Sequence, residues 1–143
     1  MSDDHELSHA MRRVNEAITA MRSGNPQPYI DCWADSPDAT LFGAWGPMEH
    51  GAEAVTDTFR WVASRFSGGR ADVEDTVVAQ SGDLAYTVGY ERNRVKVDGV
   101  PTTYTLRVTH VYRREDGQWR IVHRHGDRPP ERVAAFAARD ETP

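Results

Sequence analysis

Apolar residues recur at Leu7, Met11, Val14, Ile18 and Met21, in steps of four and three that mark one face of a helix. Gly24 is a natural stop for it. Pro26 and Pro28 open a shorter helical stretch with Tyr29, Ile30 and Trp33, broken at Asp35-Ser36-Pro37-Asp38. Residues 39–42 read as a short strand closed by Gly43, Gly46 and Pro47. Val55, Phe59, Val62 and Phe66 then line one face of a third helix, with Gly68-Gly69 behind it. From Arg70 the pattern changes to β. Residues 70–80, 84–97, 100–113 and 118–125 are rich in Val, Thr, Tyr and Ile, and turn signals at Ser81-Gly82-Asp83, Asp98-Gly99 and Glu115-Asp116-Gly117 separate them. Helices first and an antiparallel meander after is an α+β order.

Hairpin geometry pairs residues before any coordinates exist. A two-residue turn at Asp98-Gly99 sets Tyr90 opposite Arg107, Val88 opposite Thr109 and Tyr86 opposite Val111. A three-residue turn at Glu115-Asp116-Gly117 then sets Arg107 opposite His125 and Thr109 opposite His123. Strand alternation puts His123 and His125 on the side of Trp119 and Ile121, which are core residues. The expectation is a polar row of Tyr90, Arg107 and His125 inside the fold, with Val88, Thr109 and His123 in the next row and Tyr86 at the apolar end. A one-residue change in the last hairpin puts His110 and Tyr112 inside instead of Arg107.

In the first register, Leu106, Val108, Tyr112 and Val122 face outward beside His110, Arg120 and Arg124. A sheet covered on one side should carry a more polar second face. The expected partner is a second copy, in a homodimer formed through this outer face.

Length and composition narrow the class. The 143 residues suit one domain, read as residues 1–128 with a tail at 129–143. A net charge of −5 argues against a nucleic-acid partner. No apolar run nears the roughly 18 residues of a membrane span. The acidic start lacks a leader pattern and Cys32 is the lone cysteine, so a cytoplasmic location is expected. Lys96 is the only lysine among 17 basic residues, an arginine bias typical of a GC-rich bacterial genome.

The stretches Gly99-Val100-Pro101-Thr102-Thr103, Thr109-His110-Val111-Tyr112-Arg113-Arg114 and Gly117-Gln118-Trp119-Arg120-Ile121-Val122-His123-Arg124-His125 resemble the SnoaL-like branch of the nuclear-transport-factor-2-like superfamily. They are also similar to the association domain of calcium/calmodulin-dependent kinase II. The resemblance implies three helices packed on a curved antiparallel sheet, cone-shaped, with a ligand cavity. In the steroid-isomerase relatives, the general-base Asp, the oxyanion-hole Tyr and a second Asp fall here on Gly43, Ala17 and Arg107, so that mechanism does not carry over. The pocket arginines of the kinase domain fall on Tyr90, His110 and Gly126. Because this fold hosts many chemistries, function rests on the site.

Candidate catalytic residues are therefore His123 and His125, as an acid–base pair titrating near neutrality, and Arg107, as the holder of an oxyanion. Tyr90, Thr109, Tyr86 and Val88 are expected to line the ligand, Trp45 to sit at the cavity mouth, and Asp127 to orient a histidine ring. No metal site and no cofactor motif are expected. Three functions stay open: small-molecule binding in a natural-product (polyketide-like) pathway, a cofactor-free isomerase, cyclase or dehydratase, and an oligomerisation module.

Overall fold

A computed structural model describes residues 3–130, so most of the 129–143 tail lies outside the described residues. The elements are α1 (Asp3–Arg22), α2 (Gln27–Asp31), β1 (Thr40–Phe42), β2 (Met48–His50), α3 (Ala52–Ser64), β3 (Phe66–Ser81), β4 (Leu84–Val97), β5 (Val100–Glu115) and β6 (Gln118–Asp127). Four long strands and three helices were expected, but Phe66, read as part of the third helix, opens β3, and β2 was not expected. The six strands run β2-β1-β6-β5-β4-β3. The sheet is mixed rather than antiparallel throughout, because β1 lies parallel to β6. No described helix is long and apolar enough to cross a membrane.

The helices cover one face. Val14, Ile18 and Met21 of α1 and Val55 and Phe59 of α3 are buried there with Leu41, Leu106, Tyr112, Trp119 and Ile121 of the strands. The β4–β5 register follows from its turn: Tyr90 pairs with Arg107 and Val88 with Thr109, as the two-residue Asp98-Gly99 connection requires. Both turn residues have positive φ (51° and 82°), the mirror-image geometry that matches strand twist.

The last hairpin departs from expectation twice. Its turn is the two residues Asp116-Gly117, and a bulge then intervenes: Tyr112 faces Ile121 while Val111 faces His123, leaving Val122 extra. The bulge sits where β6 changes its other neighbour. Ile121 exchanges backbone hydrogen bonds with Cys32 and Ala34, and from His123 onward β6 runs beside β1. Two successive residues, Ile121 and Val122, are buried, and the parity of every later residue is inverted. His123 and His125 therefore leave the core side, and Arg124 and Gly126 enter it.

The supposed inner row thus lies on the outer face. Tyr86, Val88, Tyr90, Arg107 and His125 are exposed, and Thr109, His123 and Asp127 are half-buried. Conversely, Leu106, Val108, Tyr112 and Val122, expected on the outer face, are core residues. The second face still carries exposed Leu84, Tyr86, Val88 and Tyr90 of β4, Val77 of β3 and Phe42 of β1.

Candidate functional site: a buried arginine pair at an apolar cavity

Between α1, α3 and the sheet lies a cavity of about 60 Å³. Its wall is mostly apolar, with Ile18, Leu41, Phe59, Val62, Phe66, Tyr104 and Leu106. The loop from Gly43 to Pro47 forms one side, and Trp45 of that loop lines the cavity. Trp45 packs edge-on against Trp61 and Phe66, each with ring centroids 5.6 Å away. Arg22, Tyr29, Thr58 and Arg124 bring polar groups to it.

Arg22 ends α1 one turn after Ile18, on the apolar stripe of that helix, so the fold carries it inward. It is 6% exposed. Its Nε donates to Asn93 Oδ1 at 2.7 Å and its Nη2 to Glu91 Oε1 at 3.1 Å. Arg124 of β6 enters the core through the bulge and grips the same carboxylate with Nη1 and Nη2, at 2.6 and 2.9 Å. Gly126 gives its guanidinium room, since a Cβ there would sit 3.1 Å from Nη2. Tyr29 of α2 and His110 of β5 complete the cluster, Tyr29 Oη lying 2.7 Å from His110 Nε2.

Two guanidiniums face one carboxylate. Burial would raise the Glu91 carboxyl, but the charges and hydrogen bonds of Arg124, with Arg22 behind them, hold it at about 2. Burial and the Arg124 charge press His110 down to about 3, so its ring is neutral at ordinary pH. Burial pushes the Tyr29 hydroxyl up to about 12. Among the described residues the buried cluster therefore holds two guanidiniums against one carboxylate, an excess of one positive charge beside the cavity. Two further acids stand nearby without lining it: half-buried Asp75 on β3, which feels the Glu91 charge, and Glu49, which accepts from the Thr58 hydroxyl. An arrangement of this kind can hold an anion or a developing oxyanion, but it contains no group poised to move a proton near neutrality.

Of the residues expected at the site, only Trp45 lines this cavity. Val88, Tyr90, Arg107, Thr109, His125 and Asp127 do come together, in a shallow depression on the other face of the sheet. There Arg107 and Asp127 form a paired contact at 2.6 and 2.9 Å, with His125 Nε2 3.3 Å from Asp127. Asp127 thus stands beside the His125 ring, but on the outer face rather than in the cavity. His123 Nδ1 is 2.8 Å from the Thr40 hydroxyl, and Tyr86 lies beside this group on β4. Sequence reasoning missed Arg22, Tyr29, Glu91 and Arg124. The signal for Arg22 was its place on the α1 stripe. For Glu91 it was the parity shared with Ala85, Thr87, Asn93 and Val95, all buried.

Comparison with known proteins agrees with this architecture. The SnoaL-like domain family matches residues 11–129. Among solved structures, a candidate dehydratase of the NTF2-like family from Streptomyces avermitilis superimposes with a TM-score of 0.77 at 18% identity, over 90% of this chain and 97% of its own. An NTF2-like protein from Pseudomonas putida gives 0.74 at 25% identity, over 92% and 91%. A candidate calcium/calmodulin-dependent protein kinase type II association domain from Thiobacillus denitrificans gives 0.72 at 21%, over 86% and 94%. No curated protein matches the chain. With the matched segment spanning both the cavity and its arginine cluster, the chain belongs to the SnoaL-like family and has an NTF2-like fold.

Proposed function

We propose that this protein binds a small organic acid, or a ligand with an equivalent oxyanion, in the internal cavity, with Arg22 and Arg124 holding the negative group. The observation that carries the reading is the charge count: two buried arginines against one carboxylate, both lining an otherwise apolar cavity. A charge left uncompensated at such depth is costly, and an anionic ligand is the natural compensation. An apolar chamber with a few convergent polar groups is the usual plan of a small-molecule site. At about 60 Å³ the cavity suits an acid of a few heavy atoms, being smaller than the roughly 150 Å³ that accommodates benzene in an engineered cavity. A flat aromatic acid requires the Gly43–Pro47 loop to part from Trp61 and Phe66. A place in bacterial natural-product (polyketide-like) biosynthesis is supported by the family and the arginine-rich composition, not by any cavity residue.

A candidate dehydratase stands among the structural neighbours, yet Glu91, His110 and Tyr29 are all held far from neutrality. A proton-transfer reading rests on His123 and His125, which lie on the opposite face from the arginine pair. Binding is therefore the reading the cavity supports best.

Calorimetric titration with acetate, butyrate and benzoate, each against its uncharged amide, tests it. The acids should bind at least about 10-fold more tightly, the lower end of the 1.5–3 kcal/mol typical of a hydrogen bond to a charged group. Arg22→Met leaves the Arg124–Glu91 pair intact and should abolish the preference. Equal binding of acids and amides, or a preference that survives Arg22→Met, contradicts the reading.

A further inference from the structure

The cavity has a second polar pole, on its α3 side. Thr58 lies on the inward stripe of α3, three residues after buried Val55 and four before Val62, which lines the cavity with it. Its hydroxyl donates to Oε2 of Glu49 on β2. A hydroxyl has one proton and two lone pairs, so with the proton committed to a carboxylate it can only accept a further hydrogen bond. The Glu49 charge behind it polarises the oxygen and strengthens that acceptance. The other polar side chains of the wall gather on the β6–β4 side. Tyr29 is occupied by His110, and Tyr104 stands opposite Asn93 on the neighbouring strand. Arg22 spends Nε and Nη2 on Asn93 and Glu91, and its Nη1 has no hydrogen-bond partner among the described residues. Leu41 separates the poles. It pairs with Glu49 on one side and Arg124 on the other, which puts two strand spacings, about 10 Å, between those backbones.

We propose that the ligand of this cavity is a short hydroxy acid whose hydroxyl is remote from its carboxylate, and that Thr58 selects the hydroxyl; this rests on the anion-binding reading above. The two poles fit one molecule of fixed polarity. Its acceptor oxygens meet the arginines, its donor meets Thr58, and a short apolar chain crosses Leu41 and Phe59 between them. A hydroxyl satisfies Thr58 with its single proton. An ammonium carries three, and one threonine oxygen does not replace the water that three donors give up. A methyl, carbonyl or ether in the same place offers no proton and leaves the Thr58 oxygen without its donor. A 2-hydroxy acid keeps its hydroxyl beside the carboxylate, at the arginine pole.

Calorimetric titration of the full chain compares 3-hydroxypropionate and 4-hydroxybutyrate with propionate and butyrate. At least one of the two hydroxy acids should bind about 5-fold or more tightly than its parent acid, the scale of one net hydrogen bond. Thr58→Val should remove that gain and leave propionate and butyrate unchanged, a split that a merely structural role of Thr58 does not produce. Thr58→Ser keeps the hydroxyl and should keep the gain. Glu49→Leu frees the Thr58 proton and should lower it. 3-Aminopropionate should bind more weakly than 3-hydroxypropionate. Absence of a gain with either hydroxy acid in the wild type overturns the proposal. So does a gain that survives Thr58→Val, or tighter binding of 3-aminopropionate. Equal binding of propionate and its amide overturns the anion reading beneath it, so the two failures are told apart by the parent acids alone.

Discussion

Glu91 decides the electrostatics of the interior. It is 1% exposed, and one of its oxygens serves both arginines while the other binds Arg124 alone. Buried pairs of this kind seldom add stability over apolar packing, but they fix geometry and punish the loss of a partner. His110 beside them gives the fold a measurable pH dependence. Its folded pKa, about 3, lies below the unfolded value of 6.5, so the unfolded chain binds the extra proton between these limits. Stability is therefore complete above pH 6.5 and falls as pH drops, at about 1.4 kcal/mol per unit for a full proton difference. From pH 6.5 to 5, urea denaturation should show a loss of about 2 kcal/mol from this residue. His123, also lowered by burial, adds in the same direction, and Glu91 enters only below 4.5. His110→Gln should remove most of the slope above pH 5. An unchanged slope in that variant would show that His110 is not the buried neutral ring described.

At the scale of elements, β4 explains why the site was hard to read. Its more apolar parity, Leu84, Tyr86, Val88 and Tyr90, faces solvent, while Thr87, Gly89, Glu91 and Asn93 face the core. Alternation alone selects the wrong face here, because the buried face is wired with hydrogen bonds and the exposed one is apolar. The long strands, the helices and the β4–β5 register were legible because two-residue turns with Gly fix pairing locally. The bulge at Val122 was not legible, since it depends on β6 changing partners from the Cys32–Ala34 segment to β1, a contact between segments about 80 residues apart. That one residue moved His123 and His125 out and Arg124 in. A second irregularity, between Asp75 and Val77 on β3, lies against Gly89. A Cβ on Gly89 would stand 1.9 Å from the Glu74 carbonyl oxygen, a backbone atom that cannot swing away. Gly89→Ala should therefore cost at least the 1–3 kcal/mol usual for overpacking, measured by urea denaturation. Gly82→Ala, at the β3–β4 turn, meets no neighbouring atom and is opposed only by its φ of 59°, at about 1 kcal/mol. Equal costs for the two would contradict the close approach.

For the whole molecule, one sheet carries two different surfaces on its two faces. The inner face holds an arginine pair against a cavity, and the outer face carries Arg107, His125 and Asp127 beside exposed Tyr86, Val88 and Tyr90. The central claim concerns the inner face, and arginine side-chain NMR tests it most directly. Nε–H resonances of Arg22, Arg124 and Arg107 can be assigned by substitution and followed during titration with acetate and benzoate. The account predicts saturable shifts at Arg22 and Arg124, with Arg107 unmoved because Asp127 already occupies it. Shifts confined to Arg107, or no movement at Arg22 and Arg124 at saturating acid, would contradict it.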